Sequence, residues 1–263
     1  MKRKGVFILC LLLGLCLFNT PFILQYFNQK ETNQVVKKYN EKVSQMTEQD
    51  IENQFKNAQQ YNENLADQSQ VFSDSFQNDS TVSKEYNALL EDIMGYIEIP
   101  EIDIQLPIYH GTSQDVLQKG VGHLYGSSLP IGGPSTHAVL SSHTGLPDQT
   151  LFTDLDKLKI GDQFVIHVYD YVLTYEVFQI NIVEPDQTDT LKIVPNQDYV
   201  TLVTCTPYGV NTKRLLVTGK RTSSLKDNSR YIGLYDIQKV MFYISVCIVI
   251  VIMYLLLKKG RSK

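Results

Sequence analysis

From Gly95 onward the hydrophobic pattern has a period of two, and few folds are compatible with it. Short runs rich in Ile, Val, Tyr and Thr are separated by turn residues such as Gly111, Pro147 and Gly161. Residues two apart lie on one face of a strand, so each run predicts a β-strand: 95–100, 138–140, 164–169, 173–178, 199–204 and 215–217. Only residues 150–158 favour a short helix. This pattern predicts a mainly β fold, either a sandwich or a closed barrel without exposed edges.

The segment before the strands is polar and has helical spacing. Apolar residues recur from Val36 to Met46 and again from Ile51 to Leu65. The stripe breaks where Thr47 and Asp50 offer a capping box, so we predict two helices, or one with a kink. So narrow a stripe favours packing on the chain's own domain over a coiled coil with a partner.

Apolar stretches near both ends predict attachment to a membrane. Residues 240–257 are an uninterrupted apolar run followed by a basic tail at 258–263, and the run is long enough to span a bilayer. Residues 5–24 form a weaker run after Lys2, Arg3 and Lys4, as in an export signal or a retained anchor. The flanking positive charges place both ends in the cytoplasm and the middle of the chain outside the cell. The alternative at the C-terminus is a buried core helix.

The charge distribution argues against nucleic acid as a partner. The formal net charge is −4, but seven of the 24 basic residues lie beside the two apolar runs. The remaining 17 basic residues face 28 acidic ones. A phosphate backbone requires clustered Lys and Arg, which this acidic middle does not offer.

Cysteine usage draws attention to one residue. Cys10, Cys16 and Cys247 lie inside the apolar runs, so Cys205 is the only thiol in the predicted extracellular part. It has no partner there for a disulfide, and a lone thiol in an oxidising compartment more often serves chemistry than structure. The alternative is that Cys205 is a small buried hydrophobic residue.

Arg214 and His143 are candidate partners of that thiol. Cys205 ends one predicted strand and Arg214 opens the next, so a hairpin would bring both to one end of the sheet. An Arg at a strand end is usually only a surface group, and this pair is weak evidence by itself. His143 ends a strand among small residues, so spacing favours it over His110, His123, His137 and His167 as the acid/base, although a structural histidine stays open. No cluster of Cys, His and carboxylates has metal-ligand spacing, so we expect neither metal nor cofactor.

The run TLVTCTPYG at 201–209, continuing through 211–217, resembles the active-site signature of the sortases, and of class C in particular. The resemblance extends to LSSHTGLP at 140–147 and GYIEIPEID at 95–103, and covers roughly residues 61–221. It implies an eight-stranded closed β-barrel with N-terminal helices and a C-terminal transmembrane helix. It also implies that Cys205 is the acylated nucleophile, His143 the proton-transfer residue and Arg214 the oxyanion-side residue.

Class C sortases carry an N-terminal lid with an Asp-Pro-aromatic motif, and the matching place here reads Asp74, Ser75 and Phe76. Because the stiffening Pro is absent, we expect a lid that is present but more mobile, the alternative being an ordinary loop. Ser142 and Thr144 stand where relatives often have Gly and Arg, and Lys213 stands where many have His. Together with Thr204, Ser142 and Thr144 are candidate substrate-binding residues.

The resemblance implies a cysteine transpeptidase on the surface of a Gram-positive cell. It would cleave an LPxTG-like sorting signal between Thr and Gly, form a Cys thioester, and transfer the acyl group to a pilin lysine, with pilin subunits and the lipid bilayer as partners. One alternative is a sortase that attaches surface proteins to peptidoglycan amines. Another is a non-catalytic, membrane-tethered pilus scaffold.

The predicted organisation has seven parts. They are a signal or anchor segment (1–27), a helical region (28–68), a lid-like loop (69–83), the sortase β-barrel (84–222), a linker (223–239), a transmembrane helix (240–257) and a basic cytoplasmic tail (258–263).

Overall fold

The body of the molecule is built from β-strands. The computed structural model describes residues 2–66, 72–76, 84–146 and 149–222. The strands are β1 Ile93–Ile99, β2 Ile104–His110, β3 Val121–His123, β4 Thr136–Ser141, β5 Gln163–Val168, β6 Tyr171–Val183, β7 Asp198–Thr206 and β8 Lys213–Arg221. β-Branched and aromatic residues are frequent in these runs, and such side chains suit a half-buried pleated surface.

The strands close into a barrel in the order β1-β2-β3-β4-β7-β8-β6-β5, with β5 pairing back onto β1. Neighbouring strands are antiparallel except for two pairs: β2 runs parallel to β3, and β4 runs parallel to β7. Closure pairs every strand on both sides and so removes the exposed edges of an open sheet. The prediction of a mainly β, closed, eight-stranded barrel is confirmed.

The barrel encloses the main hydrophobic core. Alternate strand residues point inward, and Ile97, Leu140 and Val217 are fully buried there. Phe164 stacks on Tyr175 at a ring separation of 5.5 Å. This stack requires glycine at position 219, because a Cβ there would lie 2.5 Å from the Phe164 ring.

Two long helices precede the barrel, as the sequence predicts. Helix α1 is Lys2–Val43 and helix α2 is Glu48–Ala66. Between them, the Asp50 N–H donates to Thr47 Oγ1 at 3.2 Å and the Thr47 N–H donates to Asp50 Oδ2 at 3.3 Å. This reciprocal capping box satisfies amide groups that the first turn of α2 leaves unpaired.

The apolar stripe of these helices packs on the barrel rather than facing solvent. In α1, Val36 and Tyr39 form a buried cluster with Tyr96 of β1. In α2, Ala58 joins the main core, and the side chain of Asn62 exchanges two hydrogen bonds with the backbone of Leu129. The predicted packing of the helices on their own domain is therefore present.

Some local predictions were wrong. Strands β2 and β3 were not predicted, because Pro107 interrupts the alternation of β2 and β3 has only three residues. The short helix predicted over 150–158 is reduced to a 3-10 turn at Leu155–Lys157. Two four-residue helices were also missed, α3 at Lys84–Asn87 and α4 at Gln114–Leu117.

The chain divides into two units, Met1–Ser224 and Leu225–Lys263, and all described residues lie in the first. Within those residues, none of the helices is both long and apolar enough to cross a membrane. The predicted linker, transmembrane helix and basic tail, residues 223–263, lie outside the described part of the chain. The predicted domain boundaries stay predictions.

Candidate active site

Cys205 and Arg214 face each other across the β7–β8 hairpin. They are direct register partners in the antiparallel pair, so their side chains project from the same face of the sheet. Cys205 is partly buried, while Arg214 is only 8% exposed. The turn between the strands includes a cis peptide bond, Thr206–Pro207. The structure thus brings the thiol and the guanidinium together as their strand positions predict.

His143 reaches the same rim through the parallel pairing of β4 with β7. Ser141 lies opposite Val203, and the Ser142 N–H continues the ladder by donating to the Val203 carbonyl at 3.1 Å. His143 follows Ser141 by two residues, and Cys205 follows Val203 by two. Because parallel strands end at the same edge, the imidazole and the thiol belong to one end of the barrel.

The other four histidines have structural partners. His123 and His137 are fully buried, and His110 and His167 are partly buried. His123 contacts Tyr86 Oη at 2.5 Å and the Ser128 carbonyl at 2.7 Å, and His137 contacts the Lys192 carbonyl at 2.9 Å and Thr201 Oγ1 at 2.7 Å. His110 contacts the Leu89 carbonyl at 2.7 Å. His167 stacks on the Tyr96 ring and lies beside Glu98. His143 is therefore the histidine that this rim offers for catalysis.

Residues 72–76, here called the lid segment, lie over the site. The Asp74 carboxylate accepts two hydrogen bonds from Arg214, from Nε to Oδ1 at 2.8 Å and from Nη2 to Oδ2 at 2.5 Å. The side chains of Arg214 and Asp74 are 9% and 5% exposed. This is a fork-to-fork ion pair, the strongest geometry available to a guanidinium and a carboxylate.

Phe76 contacts both Arg214 and His143. Its ring centroid is 5.1 Å from Cζ of Arg214 and 5.7 Å from the ring of His143. Ser75, in the place of the missing Pro, is 4% exposed. Phe72 and Phe76 also pack on an apolar cluster comprising Leu124, Val139, Leu191, Val203 and Leu216. The acid and the ring predicted for a lid thus lie against the catalytic candidates.

Burial and charge set the protonation of the site. Burial raises the pKa of the Cys205 thiol above its usual value; Arg214 lowers it and Asp74 raises it further. Burial lowers the pKa of His143. A raised thiol pKa and a lowered imidazole pKa both favour the neutral forms. Under the lid segment, the resting pair is therefore a thiol and a neutral imidazole.

The three hydroxyl residues predicted to bind substrate are buried at this rim. Thr204 Oγ1 donates to the Ser142 carbonyl at 2.8 Å, and Ser142 Oγ donates to the Gly120 carbonyl at 2.7 Å. Thr144 is 8% exposed. The bonds of Thr204 and Ser142 tie the histidine-bearing segment to β7 and to the loop before β3. Contact of these residues with substrate stays a prediction.

Sequence reasoning missed Gln114, the first residue of α4. Its Oε1 lies 3.1 Å from Nε2 of His143. No local pattern connects the two residues, which are 29 positions apart, so only the fold reveals the contact. Lys213, flagged beside Arg214, forms a surface ion pair with Glu184 at 3.0 Å. Over the described ranges, no group of three or more His, Cys, Asp or Glu residues could hold a metal ion.

Comparison with known proteins agrees with this geometry. The protein-family model of the Sortase domain matches residues 97–222 of the sequence. Sortase D of Bacillus subtilis strain 168 is 35% identical over 132 residues, 49% of this chain and 64% of that protein. Sortase A of Streptococcus agalactiae is 32% identical over 117 residues, 43% of this chain and 47% of that protein. The matches thus span about half to just under two thirds of these curated relatives.

Solved structures match over greater lengths. The crystal structure of Streptococcus pneumoniae sortase C is 46% identical with a TM-score of 0.70, covering 73% of this chain and 97% of that one. Sortase C-1 of Actinomyces oris is 45% identical with a TM-score of 0.64, covering 67% of this chain and 99% of that one. At these identities and coverages the likeness extends beyond the fold, and the chain belongs to the sortase family, with class C sortases among its structural neighbours.

Proposed function

We propose that this protein is a class C sortase, a cysteine transpeptidase that joins pilin subunits. The observation that carries the proposal is the juxtaposition of Cys205 and Arg214 across β7 and β8, with His143 at the end of the adjoining strand β4. A thiol nucleophile, an imidazole acid/base and a fixed cation for the oxyanion together support acyl transfer through a thioester. The S. pneumoniae structure is described in terms of catalysis and pilin substrate specificity, which supports the same substrate class here.

The first half of the reaction forms the thioester. His143 takes the thiol proton, and the Cys205 thiolate attacks the Thr carbonyl carbon of an LPxTG-like sorting signal. Arg214 stabilises the negative charge that develops on the carbonyl oxygen, because its guanidinium cannot lose its own charge at neutral pH. The C–N bond to Gly then breaks, and the leaving amine takes the proton from His143.

The second half releases the product. An amine, proposed to be a pilin lysine, attacks the thioester carbonyl and gives up a proton to His143. The C–S bond breaks, the thiol is restored, and an isopeptide bond links the two subunits. Because water competes with the amine, a covered site favours transfer over hydrolysis.

The lid segment provides a gate in this scheme. Asp74 occupies the guanidinium that should meet the oxyanion, and Phe76 lies against both Arg214 and His143. Substrate binding therefore requires the segment to move away. Displacing it would also lower the pKa of the Cys205 thiol, since both burial and the Asp74 charge raise that pKa.

A location at the cell surface is part of the proposal. The apolar run at 240–257 and its basic tail favour a membrane anchor with the catalytic domain outside the cell. Pilin subunits that carry a membrane-held sorting signal would meet the enzyme there.

A peptide bearing an LPxTG-like signal tests the chemistry. The wild-type protein should gain the mass of the acyl fragment on Cys205, and Cys205→Ala should not. With pilin subunits added, the wild type should produce a covalent ladder. A ladder of equal intensity from Cys205→Ala would show that the protein acts only as a scaffold. Transfer to peptidoglycan amines but not to pilin would instead indicate cell-wall attachment.

A further inference from the structure

The contact between His143 and Gln114 concerns which nitrogen of the neutral imidazole carries the proton. Nε2 of His143 lies 3.1 Å from Oε1 of Gln114. With its amide oxygen turned toward the ring, Gln114 can only accept there, so the contact is a hydrogen bond when Nε2 carries the hydrogen. Within the described ranges, Nδ1 of His143 has no hydrogen-bond partner. This arrangement selects one tautomer of the neutral ring, with the proton on Nε2 and the lone pair on Nδ1.

Gln114 belongs to a well-anchored turn. Ser113 caps α4 by accepting from the Val116 N–H at 3.3 Å, and Leu117 at the other end of α4 is fully buried. The side chain of Gln114 is itself exposed, so it does not contribute to the core. The ring of Phe76 also contacts the imidazole, at a centroid separation of 5.7 Å, and the proposed gating would remove that contact. With the lid segment displaced, Gln114 is, among the described residues, the side chain that keeps a hydrogen-bond contact with the imidazole.

We propose that Gln114 is a positioning residue for His143, acting by holding the proton on Nε2 and leaving Nδ1 as the nitrogen that exchanges protons with the reactants. The inference rests on the proposed transpeptidase function. In the first half-reaction, the Nδ1 lone pair takes the thiol proton, giving an imidazolium and a thiolate. When the C–N bond breaks, the same proton passes from Nδ1 to the leaving amine, and the neutral Nε2–H ring is restored. Throughout both transfers, Nε2–H stays bonded to Gln114.

The test separates positioning from folding and from catalysis in general. The full-length chain is labelled with ¹⁵N in its histidine rings, and long-range ¹H–¹⁵N spectra report which nitrogen carries the proton. At neutral pH the ring is uncharged, since burial lowers its pKa. The His143 signal is assigned by its loss in His143→Asn. In the wild type, Nε2 should be protonated. In Gln114→Leu, the proton should be shared between both nitrogens.

Kinetics supply the second readout. Gln114→Leu should lower kcat for thioester formation by roughly 3- to 10-fold, the range expected when one exposed hydrogen bond is lost, with KM and the melting temperature unchanged. Gln114→Glu retains an acceptor and should keep the Nε2–H tautomer. Gln118→Leu changes the exposed residue that follows the last turn of α4; it is the matched control and should behave as the wild type.

Two outcomes overturn the inference: an unchanged tautomer in Gln114→Leu, or a kcat equal to that of the wild type. If instead the wild type forms no thioester, the proposed function fails. The ring spectra then still decide whether Gln114 sets the tautomer, so the two failures are distinguishable.

Discussion

Replacing Asp74 by Ala should open the lid segment and expose Cys205. The carboxylate accepts both hydrogen bonds that join the segment to Arg214, at 2.8 and 2.5 Å. Without it, the segment keeps the apolar contacts of Phe72 and Phe76, the cation–π contact of Phe76 with Arg214 and the ring contact of Phe76 with His143. Arg214 is retained and becomes accessible to a substrate oxyanion.

The size of the effect follows from the contacts that are lost. A hydrogen bond to a charged group contributes about 1.5–3 kcal/mol, but in the open state water rehydrates both ions and returns part of that energy. A net loss of about 3 kcal/mol would change the equilibrium between the closed and open states roughly a hundredfold. We therefore expect Cys205 to react with iodoacetamide about 10- to 100-fold faster in Asp74→Ala than in the wild type.

The pH dependence of Cys205 alkylation is an independent test, because the direction of its shift can be predicted. In the closed state, burial chiefly raises the pKa of the Cys205 thiol, and Asp74 adds to that rise. The substitution relieves both effects and leaves the positive charge of Arg214 in place. The thiol should thus ionise at lower pH in Asp74→Ala, and the alkylation profile should move toward acid.

The assay is the rate of alkylation measured by intact-protein mass spectrometry as a function of pH. Glu184→Ala is the matched control, because Glu184 pairs with Lys213, the neighbour of Arg214, at 3.0 Å on an exposed surface. An exposed pair contributes less than about 1 kcal/mol, so this variant should react like the wild type. Equal rates and equal pH profiles for Asp74→Ala and the wild type would refute the gating argument.

Three further predictions concern stability and are checked by urea unfolding. Thr47→Ala should lower the free energy of unfolding by about 1 kcal/mol through loss of the helix cap, and Thr47→Ser should restore most of it. Gly219→Ala should lower it by about 1–3 kcal/mol, since the added Cβ would lie 2.5 Å from Phe164; a stable variant would show that the ring can move aside. Burial lowers the pKa of His123 from 6.5 to about 4, so between those pH values the unfolded state binds a proton that the folded state does not. Stability should therefore fall by about 3 kcal/mol as the pH drops through this window and level off below it, and a flat profile would contradict the burial of a neutral His123.

Much of the barrel could be predicted because most of its strands show alternating apolar and polar residues in their own sequence. The alternation in β1, β5, β6, β7 and β8 is long enough to identify each strand from its own residues. Strand β3 has only three residues, and β2 contains Pro107, so their pairing is held by neighbouring strands rather than by their own pattern. At residues 150–158 the sequence predicts more structure than is formed, because the helical composition there yields only a 3-10 turn.

Within the candidate site, Cys205 and Arg214 are nine positions apart, and a hairpin between adjacent strands brings such residues together through short-range geometry alone. The sequence by itself thus determined the strand pattern and the helix cap at Thr47, and it put the thiol and the guanidinium at one end of a predicted hairpin. The tertiary structure alone decided that β4 lies parallel to β7, that Asp74 reaches Arg214 across 140 positions, and that Gln114 meets His143. Local periodicity and turn residues set each element. Which elements become neighbours, and in what register, depends on burying one shared core, and no single segment encodes that.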